Sequence, residues 1–172
     1  TSDDIDDQVN NGGNDQYVTK YNKDGSKEWT KLLGSSENDI AYFIDSGIDG
    51  SIYIAGRQET SKTNENGSNL TYQIPFISKL NPDGEIIWNK ILEEYGAFYN
   101  STWNFSLGDD DSIYMTGSTS DNLDGQVNSG GGDAYIAKFN KDGSKEWTRL
   151  FGTSEYDSSK FITTGSDGAI YI

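Results

Sequence analysis

The segment NKDGSKEWTKLLG at Asn22 to Gly34 returns as NKDGSKEWTRLFG at Asn140 to Gly152, and a diverged copy, NPDGEIIWNKIL, lies between them at Asn81 to Leu92. A fixed-period repeat constrains a chain severely, because each unit is one supersecondary element that buries its apolar face only against its neighbours. Lys20, Lys79 and Lys138 are each 59 residues apart, and Trp29, Trp88 and Trp147 repeat that interval. The IYI segments at Ile52, Ile113 and Ile170 stand 61 and 57 apart, so the middle copy has gained two residues before Ile113 and lost two after it. Both changes belong in loops, where an insertion breaks no ladder hydrogen bond. The chain therefore reads as one domain over 1–172, with repeats at approximately 1–59, 60–118 and 119–172.

Within a unit the pattern is that of four short strands. AYIAKF (Ala134 to Phe139) and KEWTRLF (Lys145 to Phe151) flank Asn-Lys-Asp-Gly, while KFITT (Lys160 to Thr164) and AIYI (Ala169 to Ile172) flank Gly-Ser-Asp-Gly. Aromatic and β-branched residues in near period-2 alternation on both sides of Asp-Gly signal hairpins. No stretch carries an apolar 3.6-residue period of helix length. Four strands per ~50 to 60 residues, with an aromatic at a fixed place, predict an all-β chain, a β-propeller of four-stranded antiparallel blades. In the order A (KFITT type), B (AIYI type), C (AYIAKF type) and D (KEWTRLF type), the tight Asp-Gly turns share one face and the long B–C and D–A connections share the other.

On this order residues 1–34 supply strands C and D of one blade, two full blades follow, and the last residues lie in strand B of the next. Two full blades and two half-blades are fewer than the four to eight that close a propeller. Two expectations follow: the chain is a segment of a larger propeller, or copies associate head to tail, the C–D hairpin of one completing the A–B hairpin of another.

The stretch IYMTGSTSDNLDGQVNSGGGDAYIAKFNKDGSKEWTRLFG carries Tyr-x-x-Gly, Gly-Gly-x-Asp-Ala-Tyr and Lys-x-Asn-x-Asp-Gly-x-x-x-Trp elements. In these it resembles the SBBP beta-propeller repeats of bacterial extracellular and cell-surface proteins. That resemblance implies the propeller fold, an extracellular or cell-surface location, and a non-catalytic scaffold or adhesion module whose partners are protein or glycan. The Gly-x-x-x-Trp element at Gly25 to Trp29, Gly84 to Trp88 and Gly143 to Trp147 is similar to the tryptophan-docking motif of quinoprotein propellers. All six residues are then structural, and burying a large ring between adjacent sheets is the physical use of an evenly spaced aromatic.

Composition narrows the chemistry. The chain has 172 residues, 28 acidic against 13 basic, a formal charge of -15, and neither cysteine nor histidine. That excludes disulfides, thiolate chemistry, a Ser-His-Asp triad and imidazole metal ligands. A pI near 4.1 disfavours nucleic acid and anionic membrane surfaces as partners, and no window approaches the ~18 to 20 apolar residues of a membrane-inserted helix.

Two B–C loops, SDDIDDQVNNGGND at Ser2 to Asp15 and SDNLDGQVNSGGGD at Ser120 to Asp133, place Asp3, Asp6 and Asp15 in correspondence with Asp121, Asp124 and Asp133. Clustered carboxylates with glycine-freed carbonyls suit Ca2+, which takes 6 to 8 oxygen ligands at ~2.3 to 2.6 Å. Leu123 breaks the EF-hand pattern, however, and Asp15 and Asp133 can equally cap the turn before strand C. The second copy carries a Ser/Thr/Asn-rich loop at Gln58 to Gln73 instead, followed by EEYGAFYNSTW. Aromatics beside a carboxylate can stack on sugar rings, so Glu94, Tyr95, Tyr99 and Trp103 are the ligand-binding candidates. The alternative to a scaffold is thus a carbohydrate-binding or carboxylate-dependent glycoside-active propeller, for which a retaining mechanism needs two carboxyls ~5 to 5.5 Å apart. No pair is singled out, and no catalytic residue is assigned.

Overall fold

The structure, a computed structural model, describes residues 1–63, 65–92 and 104–172. Among the described residues every regular element is a strand: β1 (Gln16–Tyr21), β2 (Lys27–Leu33), β3 (Asp39–Ser46), β4 (Ile52–Thr63), β5 (Asn69–Leu80), β6 (Ile86–Ile91), β7 (Asn104–Leu107), β8 (Ile113–Thr119), β9 (Asp133–Phe139), β10 (Lys145–Phe151), β11 (Thr163–Thr164) and β12 (Ile170–Tyr171). They form two four-stranded antiparallel sheets, β3–β4–β5–β6 and β7–β8–β9–β10, between two-stranded sheets β1–β2 and β11–β12.

The repeat fixes the register. Lys20 stands opposite Trp29, Lys79 opposite Trp88 and Lys138 opposite Trp147, and in each hairpin one residue of the outer strand (Glu28, Ile87 or Glu146) is bulged out beside the tryptophan. The turns are equally alike. Gly25, Gly84 and Gly143 take φ of +83°, +80° and +79°, a left-handed conformation that a side chain opposes. At the matching position of the β7–β8 turn stands Asp111, at φ +62°.

The core lies in layers between successive sheets. Val18, Ile54, Phe76 and Leu80 pack with Trp29 between the first and second sheets. Tyr53, Ile77, Phe105, Met115, Tyr135 and Phe139 pack with Trp88 between the second and third. Tyr114, Ile136 and Ile162 pack with Trp147 and Ile170 between the third and fourth. Each layer holds one of the evenly spaced tryptophans.

Two elements depart from the sequence reading. Gln58 to Gln73 is not a loop: β4 and β5 run 12 residues each and stay paired from Gln58 opposite Ile74 out to Thr63 opposite Asn69. Thr60, Thr63, Thr71 and Tyr72 favour extended backbone, and Gly67 at φ +79° closes the hairpin. KFITT and AIYI contribute only two paired residues each, Thr163 with Tyr171 and Thr164 with Ile170.

Phe105, 3% exposed, lies across the joint with its ring 6.0 Å from that of Phe43. Truncating it to Phe105→Ala removes contacts to both full sheets, and a loss of about 3 to 5 kcal/mol is expected. A urea unfolding curve measures this, and a midpoint equal to that of the unmodified chain would contradict the layered core.

Candidate functional site

The joints between sheets absorb most of the repeated side chains. A Cβ placed on Gly84 would stand 3.0 Å from two ring carbons of Trp29, and one on Gly143 would stand 3.2 Å from Trp88, so each ring lies on the glycine turn of the following sheet. Only glycine leaves room for such an approach. Across each full sheet runs a row: Tyr53 faces Lys79, which faces Trp88, and Tyr114 faces Lys138, which faces Trp147. The Lys79 ammonium lies 4.9 Å from the centre of the Tyr53 ring and 3.1 Å from Asp49, and the Lys138 ammonium lies 5.9 Å from the Tyr114 ring and 2.9 Å from Glu146.

The electrostatics of the row follow from these contacts. Hydrogen bonds from Ser51, with a further one from Lys79, hold Asp49 down at about 2. Burial pulls the Lys79 ammonium down, but its contacts to Tyr53 and Asp49 outweigh burial and leave it above its ordinary value. Asp111 adds a link between sheets: buried, its carboxylate accepts a 3.0 Å hydrogen bond from the Ile48 amide in the β3–β4 turn.

The acidic loops lie along sheet edges. Leu123 is buried in the core, and the Gln126 side chain donates to the Thr148 carbonyl at 2.8 Å and accepts from the Leu150 amide at 3.0 Å. It thereby bonds the outer edge of β10 as a neighbouring strand would, one way to protect an exposed edge from another chain. Asp124 pairs with Lys145 and Asp6 with Lys27, both at 2.5 Å. Asp3 and Asp121 are exposed. Sequence reasoning missed Gln126 as an edge cover; the signal for it was Leu123, the apolar residue that breaks the calcium pattern.

Asp15 and Asp133 are each 1% exposed and accept through one oxygen from the amides of Asn11 and Ser129, at 2.9 and 3.0 Å. The other oxygen of each is buried without an N–H or O–H donor among the described residues and faces a glycine, where a Cβ on Gly34 or Gly152 would come within 2.2 or 2.5 Å. Nearby, Asp39 and Asp157 cap equivalent turns, accepting from both the amide and the hydroxyl of Ser35 and of Thr153. Burial, aided by the charge of Asp15, pushes Asp39 up against its hydrogen bonds, whereas in the more open third copy the Thr153 hydrogen bonds hold Asp157 down. Among the described residues no three carboxylates stand close enough to hold a metal ion. Glu94, Tyr95, Tyr99 and Trp103 lie outside the described residues.

The second sheet differs at its outer edge. Ile86 and Ile87 of β6 are 53% and 55% exposed, where the sister strands β2 and β10 carry Lys27-Glu28 and Lys145-Glu146. These two residues put apolar surface where the other copies put charge, and Ile91, 37% exposed, lies on the same strand.

No family model matches the chain. It is 27% identical over 179 residues to the regulatory protein FlaEY of Caulobacter vibrioides, an alignment that covers 95% of this chain and 18% of the relative. The chain thus spans less than a fifth of that relative's length.

A pH series tests the Asp49–Lys79 pair. Because the carboxyl in the folded protein sits below its ordinary value of 3.8, at about 2, its stabilising contribution is complete above the ordinary value and drains as pH falls toward 2. Melting temperatures of the protein and of Asp49→Asn are expected to differ at pH ~6 and to converge near pH ~2; a gap that stays constant would show that the carboxylate charge plays no part.

Proposed function

We propose that this chain is a non-catalytic β-propeller repeat module, at a bacterial cell surface or outside the cell, which offers an interaction surface to a protein partner. The observation that carries this reading is the outer edge of the second sheet. Ile86 and Ile87 replace a Lys-Glu pair on a strand that faces solvent, and exposed apolar residues grouped beside charged ones mark places where another molecule binds. The extended β4–β5 hairpin belongs to the same sheet, so the divergent copy departs from its sisters in both its edge and its reach. The name of the FlaEY relative, a regulatory protein, accords with binding rather than turnover.

The alternative is a carbohydrate-binding or glycoside-active module using Glu94, Tyr95, Tyr99 and Trp103. A glycan array separates the two: the scaffold reading expects no reproducible signal, and a signal abolished by Trp103→Ala would overturn it. Calcium at millimolar concentration is expected to leave the melting temperature unchanged, since Asp6 and Asp124 are paired with lysines and Asp15 and Asp133 each accept from a backbone amide. A rise that is lost in Asp15→Asn and Asp133→Asn would instead assign Ca2+ to the B–C loops.

A further inference from the structure

Where the second and third sheets meet, the loop before β9 seats Leu123 in the layer that holds Leu92, Tyr135 and Ala137, and Gln126 bonds the backbone of Thr148 and Leu150. The second sheet has no such loop, because its β4–β5 connection is the long hairpin. At the matching place between the first and second sheets lies a cavity of about 100 Å3. Leu33, Phe76, Ser78 and Asn89 line it, standing where Leu92, Tyr135, Ala137 and Thr148 stand one joint later. The cavity thus corresponds to the space that an inserted side chain fills in the sister joint. Its lining runs from Gln16 to Asn89, inside two sheets that the chain itself packs together.

The walls differ in chemistry from those of the sister joint. Gln16 takes the position that Pro75 and Ala134 hold in the other two sheets, and Ser78 that of Ala137. The side-chain oxygen of Gln16 is buried without an N–H or O–H donor among the described residues, and such an acceptor is costly until a donor reaches it. Asp39, 5% exposed, brings a carboxylate to the same cavity, and the Ser78 hydroxyl, which donates to Asn89 Oδ1 at 2.9 Å, keeps lone pairs to accept with. Since the charges of Asp15 and Glu37 add to burial in pushing Asp39 up, a positive charge in the cavity would offset the repulsion among the three carboxylates. Leu33, Phe76 and Ile86 supply apolar wall, and Ile86 belongs both to the cavity and to the exposed edge of β6.

We propose that the cavity between the first and second sheets is the pocket for a lysine side chain of the protein partner that lies along β6, its ammonium held by Gln16 and Asp39 and its stem by Phe76 and Ile86. A lysine carries three donors and no acceptor, as a compact charge on a four-carbon stem, which matches buried acceptors behind an apolar rim. The net charge of -15 favours a cationic partner over an acidic one. The partner segment follows the course that the Gln126 loop takes along β10. Its polar groups meet the Asn89 carbonyl and the Ile91 amide, the counterparts of the Thr148 carbonyl and the Leu150 amide. The proposal rests on the reading of the β6 edge as a protein-binding surface and names the side chain that this surface selects.

The probe is Nα-acetyl-lysine methylamide, followed by the side-chain amide NMR signals of Gln16 and Asn89. Saturable shifts of both are expected, and none with the Nε-acetylated form, which lacks the charge. Gln16→Ala combined with Ser78→Ala installs the residues of the sister sheets and should raise the dissociation constant about tenfold. Asp39→Asn, which keeps an acceptor for Ser35 and removes the charge, should weaken binding likewise. A peptide Val-Thr-Lys-Val-Thr with blocked ends should bind more tightly than the single residue. Ile87→Glu, on β6 but outside the cavity lining, should weaken the peptide and leave the single residue unaffected. Peptide binding unchanged in Ile87→Glu would overturn the edge reading while the charge selectivity of the pocket stands. No shift with the lysine amide, an equal shift with its Nε-acetylated form, or the same shifts with potassium chloride alone would overturn the pocket.

Discussion

The rest of the structure depends on the contact between a tryptophan and the glycine turn of the sheet that follows it. A four-stranded sheet of short strands has two faces to cover and few apolar residues with which to cover them. Trp29 and Trp88 do so by reaching across to Gly84 and Gly143, where the absence of a Cβ lets an aromatic ring approach the backbone. The same left-handed glycine closes the hairpin that positions the next lysine and tryptophan, so one residue sets both the turn and the joint. This is why a hydrophobic content of only 33% is enough: aromatic rings supply large contact areas at a few fixed places.

Charge has a different task. The excess of acid is distributed over turns and edges, where carboxylates meet backbone amides, Ser and Thr hydroxyls, or one lysine each. In the third copy the acidic loop is tied to the outer strand by Gln126 and Leu123, so it lies along the edge of a sheet that would otherwise be open to pairing. Where the second copy replaces that loop with a long hairpin, its outer strand also exchanges Lys-Glu for Ile-Ile. Loss of the edge loop and gain of apolar edge surface occur in one repeat.

Much of the fold was legible before any coordinates. Most strand identities and the Asp-Gly turns follow from the spacing of a few residues, because period-2 alternation and left-handed glycines act over short distances. The candidate site was much less legible. Asp15 and Asp133 could be recognised as residues preceding strand C, but their burial against Gly34 and Gly152 depends on two segments 19 residues apart meeting in space. Asp39 and Asp157 occupy the same turn in two copies and shift in opposite directions, since one is buried near a second carboxylate and the other faces solvent. A polar stretch such as Gln58 to Gln73 reads as loop by composition, and only its pairing partner makes it strand.

By itself, then, the amino-acid sequence determined what is local and repeated: all-β strands, hairpin turns, the 59-residue interval and the absence of thiol and imidazole chemistry. Only the tertiary structure decided which sheet each tryptophan touches and that the acidic loop of the third copy guards an edge. The reason is physical. Local backbone preference is set by neighbours a few residues away, whereas burial and charge partners are set by residues brought together from distant parts of the chain.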